Sequence, residues 1–332
     1  MKRAVVLDDY QNVALRSADW SVLDGRVAVD TINHHIGSAA ELIDQLKDYE
    51  IVVAMRERTA FPRSILESLP KLELFVTTGP VNAVLDLDAC AGRNITVCGT
   101  RGFLPPAMEQ TWALILATAK RVCECDRTIK AGLWQTVMAD DLIGARLGLI
   151  GLGRYGSRVA HVAKAFEMEI VAWSQNLTAE RCAEVGGVTL VSKEELLSTS
   201  DIVSIHLVLS SRTTGLIGEP DLRMMKKTAH IVNTSRGPII DDAALTRALR
   251  EHWIAGAGID VFAEEPLPLD HPFRSLDNIV LTPHMGYVTP YSYKVFYQDV
   301  VDDIVGYLDG NLVRQLITQT EQAPHGSYWT NV

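Results

Sequence analysis

The chain has 332 residues, 47% of them hydrophobic, and a formal charge of −10 with an isoelectric point near 5.4. This length suits about two domains of ordinary size, and the acidic balance argues against nucleic acid or an anionic membrane as the partner. No apolar run approaches the roughly 20 residues of a bilayer span, and the chain enters its first strand without a signal-peptide core, so a cytoplasmic protein of small-molecule chemistry is expected.

In chain order, β/α alternation runs almost throughout. Strands are predicted near Ala4–Leu7, Arg26–Ile32, Ile51–Met55, Leu72–Thr77 and Ile95–Cys98, with helices near Ala39–Asp48 and Pro62–Leu69. A longer helix is predicted from Pro105 or Pro106 to about Val122, because prolines suit a first helical turn. Next comes Gly148-Leu-Ile-Gly151-Leu-Gly153-Arg-Tyr-Gly156, a glycine fingerprint closing a short apolar strand. A helix over Ser157–Phe166 and a strand at Glu169–Trp173 complete a βαβ unit. Strands follow at Val188–Val191, Ile202–Leu207, His230–Asn233, Gly256–Val261 and Asn278–Leu281, with helices at Lys193–Ser198 and Asp241–Glu251 among their connections. The helix Tyr291–Leu308 stops at Asp309-Gly310, and Glu321–Val332 reads as an irregular tail.

The fingerprint allows a tight turn at Gly151, close approach of a pyrophosphate at Gly153 and close helix packing at Gly156, with the anion on a helix N-terminus. Its mid-chain position points to a cofactor domain inserted into another. The expected division is residues 1–103 with 288–332 for substrate and 104–287 for the dinucleotide. The fold class is α/β, with two doubly wound parallel sheets: a Rossmann domain within a flavodoxin-like one. The five cysteines have no framework spacing, and Cys123 and Cys125 would face different sides of a helix, so reduced thiols and no metal site are expected.

Three polar residues fall at strand ends of the second sheet, where open α/β sheets bind ligands. Arg236 follows Val232-Asn-Thr-Ser, Glu265 closes Asp260-Val-Phe-Ala-Glu, and His284 follows Leu281-Thr-Pro. Taken singly, they also suit a turn arginine, a surface-loop carboxylate and a satisfied core histidine. Together they are the parts needed to reduce a 2-keto acid: a guanidinium fork for carboxylate and carbonyl, a histidine to move the proton, and a carboxylate favouring the imidazolium.

With the fingerprint, Asn233-Thr-Ser-Arg-Gly-Pro-Ile-Ile-Asp241, Gly258-Ile-Asp-Val-Phe-Ala-Glu-Glu-Pro-Leu-Pro268 and Thr282-Pro-His-Met-Gly286, the chain resembles the D-isomer-specific 2-hydroxyacid dehydrogenases over most of its length. The resemblance implies that Arg236 orients substrate, His284 is acid and base, Glu265 is its partner and Asp260 lies beside the nicotinamide. It implies an active-site cleft between the domains and a homodimer built partly by the helix from Pro106. Cofactor contacts are assigned to Gly151, Gly153, Arg154, Tyr155, Gly156, Ser174, Gln175, His206, Thr213, Thr234, Arg236, Asp260, His284 and Gly286.

Departures bear on specificity. Where NAD-preferring relatives carry an acid, the chain reads Trp173-Ser174-Gln175-Asn176, so neither a repelling carboxylate nor a dedicated arginine faces a ribose 2′-phosphate, and NAD or NADP is expected. The loop Thr77-Thr-Gly79-Pro80-Val81-Asn82 resembles the one that holds the substrate carboxylate through backbone N–H groups, but Pro80 has none. Arg56 and Arg58, near the end of the third strand, are candidates for the carboxylate or a second acidic group, and equally for exposed ion pairing. The leading expectation is an NAD(P)-dependent oxidoreductase of 2-keto and 2-hydroxy acids. A nicotinamide-sensing, corepressor-like interaction protein and a formate- or phosphite-type dehydrogenase are the alternatives.

Overall fold

The computed structural model describes residues 1–102 and 105–316. The chain divides into two compact units, Met1–Phe103 with Val288–Val332, and Leu104–Tyr287. The first carries β1 (Lys2–Val6), β2 (Val27–Thr31), α1 (Ala39–Leu46), β3 (Ile51–Ala54), α2 (Arg63–Glu67), β4 (Leu74–Thr77), α3 (Leu87–Gly92) and β5 (Thr96–Gly99). All pairings among these strands are parallel, in the order β2-β1-β3-β4-β5. The central strands β3 and β4 are buried at every residue, as the near-continuous apolar runs Ile51–Ala54 and Leu74–Thr77 lead one to expect. The order reverses between β1 and β3, so the loops after Val6 and Ala54 open at the switch point.

The second unit begins with α4 (Pro105–Ala119) and α5 (Val122–Lys130). There follow β6 (Arg146–Ile150), α6 (Arg154–Ala165), β7 (Glu169–Trp173), α7 (Ala179–Val185), β8 (Thr189–Leu190) and α8 (Lys193–Thr199). The unit continues with β9 (Ile202–Ile205), α9 (Glu219–Met224), β10 (His230–Asn233), α10 (Asp242–Arg250), β11 (Gly256–Ile259) and β12 (Ile279–Leu281). Its seven parallel strands run β12-β11-β10-β9-β6-β7-β8, with the switch between β6 and β9. Two apolar clusters fill its two sides. One gathers Ile150, Val203, Ile231 and Ile259 with α8–α10; the other gathers Leu147, Leu149 and Val159 with Trp112, Ile115 and Ala119 of α4. Trp112 stacks on Phe166 at a centroid distance of 5.0 Å.

Two helix boundaries differ from the sequence reading. The helix expected to reach Val122 ends at Ala119, because Arg121 takes a left-handed conformation (φ 51°) and α5 starts afresh behind it. The helix expected from Ser157 begins at Arg154, with Gly153 as its N-cap. The predicted tail Glu321–Val332 lies outside the described residues.

The last helix, α11 (Pro290–Leu308), returns to the first unit, capped by Thr289, whose Oγ1 accepts from Ser292 N–H. It buries Asp299 and Asp303 completely. Arg101 holds Asp299 with contacts of 2.7–3.2 Å. Arg314 donates to the Asp299 carbonyl at 2.8 Å and reaches Asp303 at 3.1 Å. Beside it the chain pairs with the β5 edge through Gly99 N–H to Arg314 O and Leu316 N–H to Val97 O.

Candidate active site

In the second unit, β6 ends at Ile150 and turns at Gly151 with φ 103°, a conformation that side chains rarely adopt. A Cβ there would lie 2.6 Å from the His206 carbonyl, and one at Gly156 would overlap the Gly151 carbonyl. These two glycines are therefore demanded by the protein's own packing. Gly153 is different. Its backbone is extended (φ −77°, ψ −155°), it caps α6 with no side chain, and a Cβ there would meet nothing within 4 Å. Neither strain nor a neighbour requires glycine at that point. The open volume at the N-terminus of a twelve-residue helix, whose first N–H groups lack intrahelical partners, fits a pyrophosphate. Arg181 of α7 braces the turn by donating to the Leu152 carbonyl at 3.2 Å.

Around this turn, Arg154, Tyr155 and Gln175 are exposed and Ser174 is half-buried just beyond β7. His206, after β9, has its Nε2 at 2.9 Å from Ser204 Oγ, and burial pushes its imidazole down to about 4, which keeps it neutral. Thr213 spends its hydroxyl on the Val208 carbonyl at 2.8 Å and on the Ser210 N–H. The Thr213 hydroxyl is thus engaged within its own loop.

The three strand-end residues each have a built setting. Arg236 follows β10 in extended backbone, its carbonyl accepting from Asn233 Nδ2 at 2.9 Å, and its Nη1 donates to the Ser235 carbonyl. The next residue, Gly237, packs against the Phe262 backbone so closely that a Cβ would overlap it. Phe262 N–H in turn donates to Glu265 Oε1 at 2.9 Å, and Glu265 Oε2 lies 2.6 Å from His284 Nδ1. Burial raises the Glu265 carboxyl, but the His284 ring, the Phe262 N–H and Arg236 outweigh it and leave it below the usual range. His284 itself takes φ 55° and stacks edge-on to Tyr287 at 5.4 Å. The structure brings Arg236, Glu265 and His284 into one connected set.

Asp260, expected beside the cofactor, has its carboxylate engaged by the protein itself. It is fully buried, Oδ1 accepting from Thr282 Oγ1 at 2.5 Å and Met285 N–H at 2.8 Å, and Oδ2 from Gly286 N–H at 3.0 Å. Burial pushes the carboxyl up, opposed by Thr282, Met285, His284 and Gly286. Asp260 thus ties down the His284 loop. Two residues that the sequence reading passed over, Gln110 and Thr111 of α4, reach the same loops: Gln110 Nε2 to Thr282 Oγ1 at 2.9 Å, and Thr111 Oγ1 to Thr234 Oγ1 at 2.7 Å. A polar pair directly ahead of the apolar helix run Trp112–Ala117 was the available signal.

In the first unit, the candidate substrate groups diverge. Arg58 donates to the Asp8 carbonyl at 2.9 Å, lies 4.8 Å over the Tyr10 ring and bonds Tyr293, so its guanidinium is committed within the unit. Arg56, at φ 52°, is 3.7 Å from Glu57 and lies over Gly79. Gly79 does not offer its N–H outward, since it donates to Thr100 Oγ1 at 2.6 Å. Asn82 holds the loop by donating to the Arg56 carbonyl and to Thr77 Oγ1. Val81 stands 46% exposed at the tip.

The sequence profile of the D-isomer specific 2-hydroxyacid dehydrogenase NAD-binding domain matches residues 112–286, the span of the glycine turn and the three strand-end residues. The chain belongs to this family. Among its relatives, a glyoxylate reductase of Aeropyrum pernix is 39% identical over 272 residues, covering 78% of this chain and 81% of that one. A D-3-phosphoglycerate dehydrogenase of Archaeoglobus fulgidus is 34% identical over 283 residues, 84% of this chain and 53% of the relative. Among solved structures, a D-3-phosphoglycerate dehydrogenase-type oxidoreductase from Ralstonia solanacearum superimposes with a TM-score of 0.89 at 32% identity, covering 95% of this chain and 96% of that one. As a D-2-hydroxyacid dehydrogenase, this protein is a nicotinamide-linked oxidoreductase of 2-hydroxy acids. Among the described residues no group of three or more His, Cys, Asp or Glu is placed to hold a metal ion, and no helix is long and apolar enough to cross a membrane.

Proposed function

We propose that this dehydrogenase reduces a small 2-keto acid to its D-2-hydroxy acid, with Arg236 orienting the substrate and His284 giving the proton. The observation that carries the reading is the 2.6 Å contact of His284 Nδ1 with Glu265 Oε2. With Nδ1–H donated to a carboxylate, Nε2 is the nitrogen left to face the keto oxygen, and Glu265 stabilises the imidazolium before the proton leaves. A bound reduced nicotinamide supplies the hydride. The substrate carboxylate, a planar acceptor, suits the Arg236 fork.

On the first unit, Arg56 is the candidate for holding an anionic group. Arg56 favours a substrate with an anionic group, and the names of the relatives frame the range from glyoxylate to a phosphorylated hydroxy acid. Ser174 and Gln175 carry no charge that would select or reject a 2′-phosphate, so both NAD and NADP serve. The exposed apolar side chains Ile129, Leu133, Trp134, Met138 and Ile143 on the second unit support a homodimer.

A panel of 2-keto acids assayed with NADH and with NADPH by loss of absorbance tests the reading. Reduction of at least one short 2-keto acid is expected. No turnover with any member, combined with tight nicotinamide binding, would overturn it in favour of a cofactor sensor.

A further inference from the structure

We propose that Gln110, on α4, is a positioning residue for the acid–base chemistry: its amide sets the direction of the Thr282 hydroxyl and, through Thr282 and Asp260, the backbone that presents His284. The inference rests on the reading of His284 as the acid and goes beyond it, because Gln110 touches neither His284 nor Glu265 in any recorded hydrogen bond.

The argument is a count of hydrogens. Thr282 Oγ1 lies 2.5 Å from Asp260 Oδ1, a separation that requires a proton between the two oxygens. The geometry places Asp260 as the acceptor. Oδ1 already accepts from the Met285 N–H at 2.8 Å and Oδ2 from the Gly286 N–H at 3.0 Å, two donors whose direction is fixed by the backbone, so both oxygens are placed as acceptors. The single Thr282 hydrogen is therefore spent on Asp260. Gln110, 2.9 Å from the same Thr282 oxygen, must then present its NH2 and not its carbonyl, which settles the amide orientation.

The chain of donors runs one way, from Gln110 to Thr282 to Asp260. At its end stands strained backbone. His284 has φ 55°, which a non-glycine residue adopts only when its surroundings impose it. What imposes it is the same aspartate: His284 N–H donates to the Asp260 carbonyl at 2.8 Å, and the two following N–H groups clasp the carboxylate. Three donors face the fully buried Asp260 carboxyl and oppose the burial that pushes it up. The titratable group facing it is His284, with Glu265 behind that ring.

If Gln110 lost its donor, Thr282 could turn its hydroxyl away, one bond to the carboxylate would go, and the Met285–Gly286 clasp would loosen. The His284 ring would then leave the narrow geometry in which Nδ1 meets Glu265. Small misplacements of a reacting group cost rate more than binding.

Two substitutions separate this role from a structural one. Gln110→Met keeps the length and loses the donor. Gln110→Glu keeps a donor only while protonated. With glyoxylate or the best keto acid of the panel and saturating NADH, Gln110→Met is expected to lower kcat about tenfold at every pH, with KM for the keto acid changed by no more than about twofold. Gln110→Glu is expected to run near wild type at acid pH and to fall to the Gln110→Met level as pH rises, adding an ionisation that the wild type lacks. In cofactor-free protein, the downfield proton resonance of His284 Nδ1–H is expected to broaden or move in Gln110→Met. A purely structural role would lower the Tm of both variants while leaving kcat, pH profile and resonance unchanged, and that result overturns the proposal.

His284→Ala is measured alongside. If it keeps its turnover, the reading of the acid has failed; if it loses turnover while both Gln110 variants behave as wild type, only the present inference has failed. Should Gln110→Met not fold, Thr282→Val and Thr282→Ser ask the same question from the other side. The valine is expected to show the loss and the serine to restore most of it, and wild-type kcat in the valine variant would overturn the proposal.

Discussion

The glycine turn of the second unit and the Thr77–Asn82 loop of the first both follow buried parallel strands, yet they are specified in different ways. In the turn, Gly151 and Gly156 answer to backbone contacts that any protein with this strand–helix packing must make. In the loop, conformation is set by particular side chains: Thr100 takes the Gly79 N–H, and Asn82 ties back to Arg56 and Thr77. Steric requirements on a backbone reappear wherever the geometry does, so a cofactor site is recognisable from spacing alone. Side-chain solutions are individual, and a loop built from them must be seen to be known.

The largest test of this contrast falls on the second unit. His284→Ala is expected to lower turnover by roughly 10²- to 10⁴-fold with cofactor affinity largely intact, measured by steady-state kinetics and nicotinamide titration. Glu265→Gln should bring down the pH at which reduction fails, because the imidazolium loses its anionic neighbour; a pH–rate profile that does not move would remove Glu265 from the chemistry. Next in size is Arg56→Ala, expected to raise the keto-acid KM roughly tenfold to a hundredfold, the worth of a charge-assisted bond, with cofactor binding unchanged. Arg58→Ala should instead lower Tm, since its guanidinium is spent on Asp8, Tyr10 and Tyr293. Equal effects of the two on KM would show that the first unit's arginines act interchangeably.

Ser174→Asp should shift preference towards NAD by roughly tenfold, through a charge opposing the 2′-phosphate, as the ratio of kcat/KM for the two cofactors. A wild type already selective by more than this would place cofactor choice outside the β7 end. The smallest effect concerns two buried aspartates, one in each unit. Asp260 is surrounded by donors, whereas burial pushes the Asp303 carboxyl up to about 7 against the pull of Arg314, with Asp299 and Asp302 adding to the rise. An acid raised in the folded state binds its proton more tightly there, so this contribution favours folding as pH falls through 7 and is lost as pH rises through it. Tm is expected to drop by a few degrees from about pH 6 to 8, and Asp303→Asn to flatten that slope.

Much of this molecule was legible in its sequence, for reasons that these cases make plain. Apolar runs such as Ile51–Ala54 and Leu74–Thr77 read as strands because they are buried on both faces, and Arg236, Glu265 and His284 stood out because each follows such a strand. The break at Arg121 could not be read, since a left-handed arginine leaves no compositional mark. The clasp of Asp260 by Thr282, Met285 and Gly286, and its support from Gln110, join residues 150 to 172 positions apart in the case of Gln110. Only the folded sheet brings α4 to the ends of β11 and β12. Gly79 misled in the opposite sense, because its N–H was spoken for by a threonine 21 residues on.

The contact of Gly237 with the Phe262 backbone has a consequence for anyone wishing to redesign the enzyme. Because no side chain separates these two segments, the turn that carries Arg236 cannot be shifted without pushing the loop that carries Glu265. The two segments are mechanically one component, so substitutions at positions 233–240 and 260–266 will not act independently.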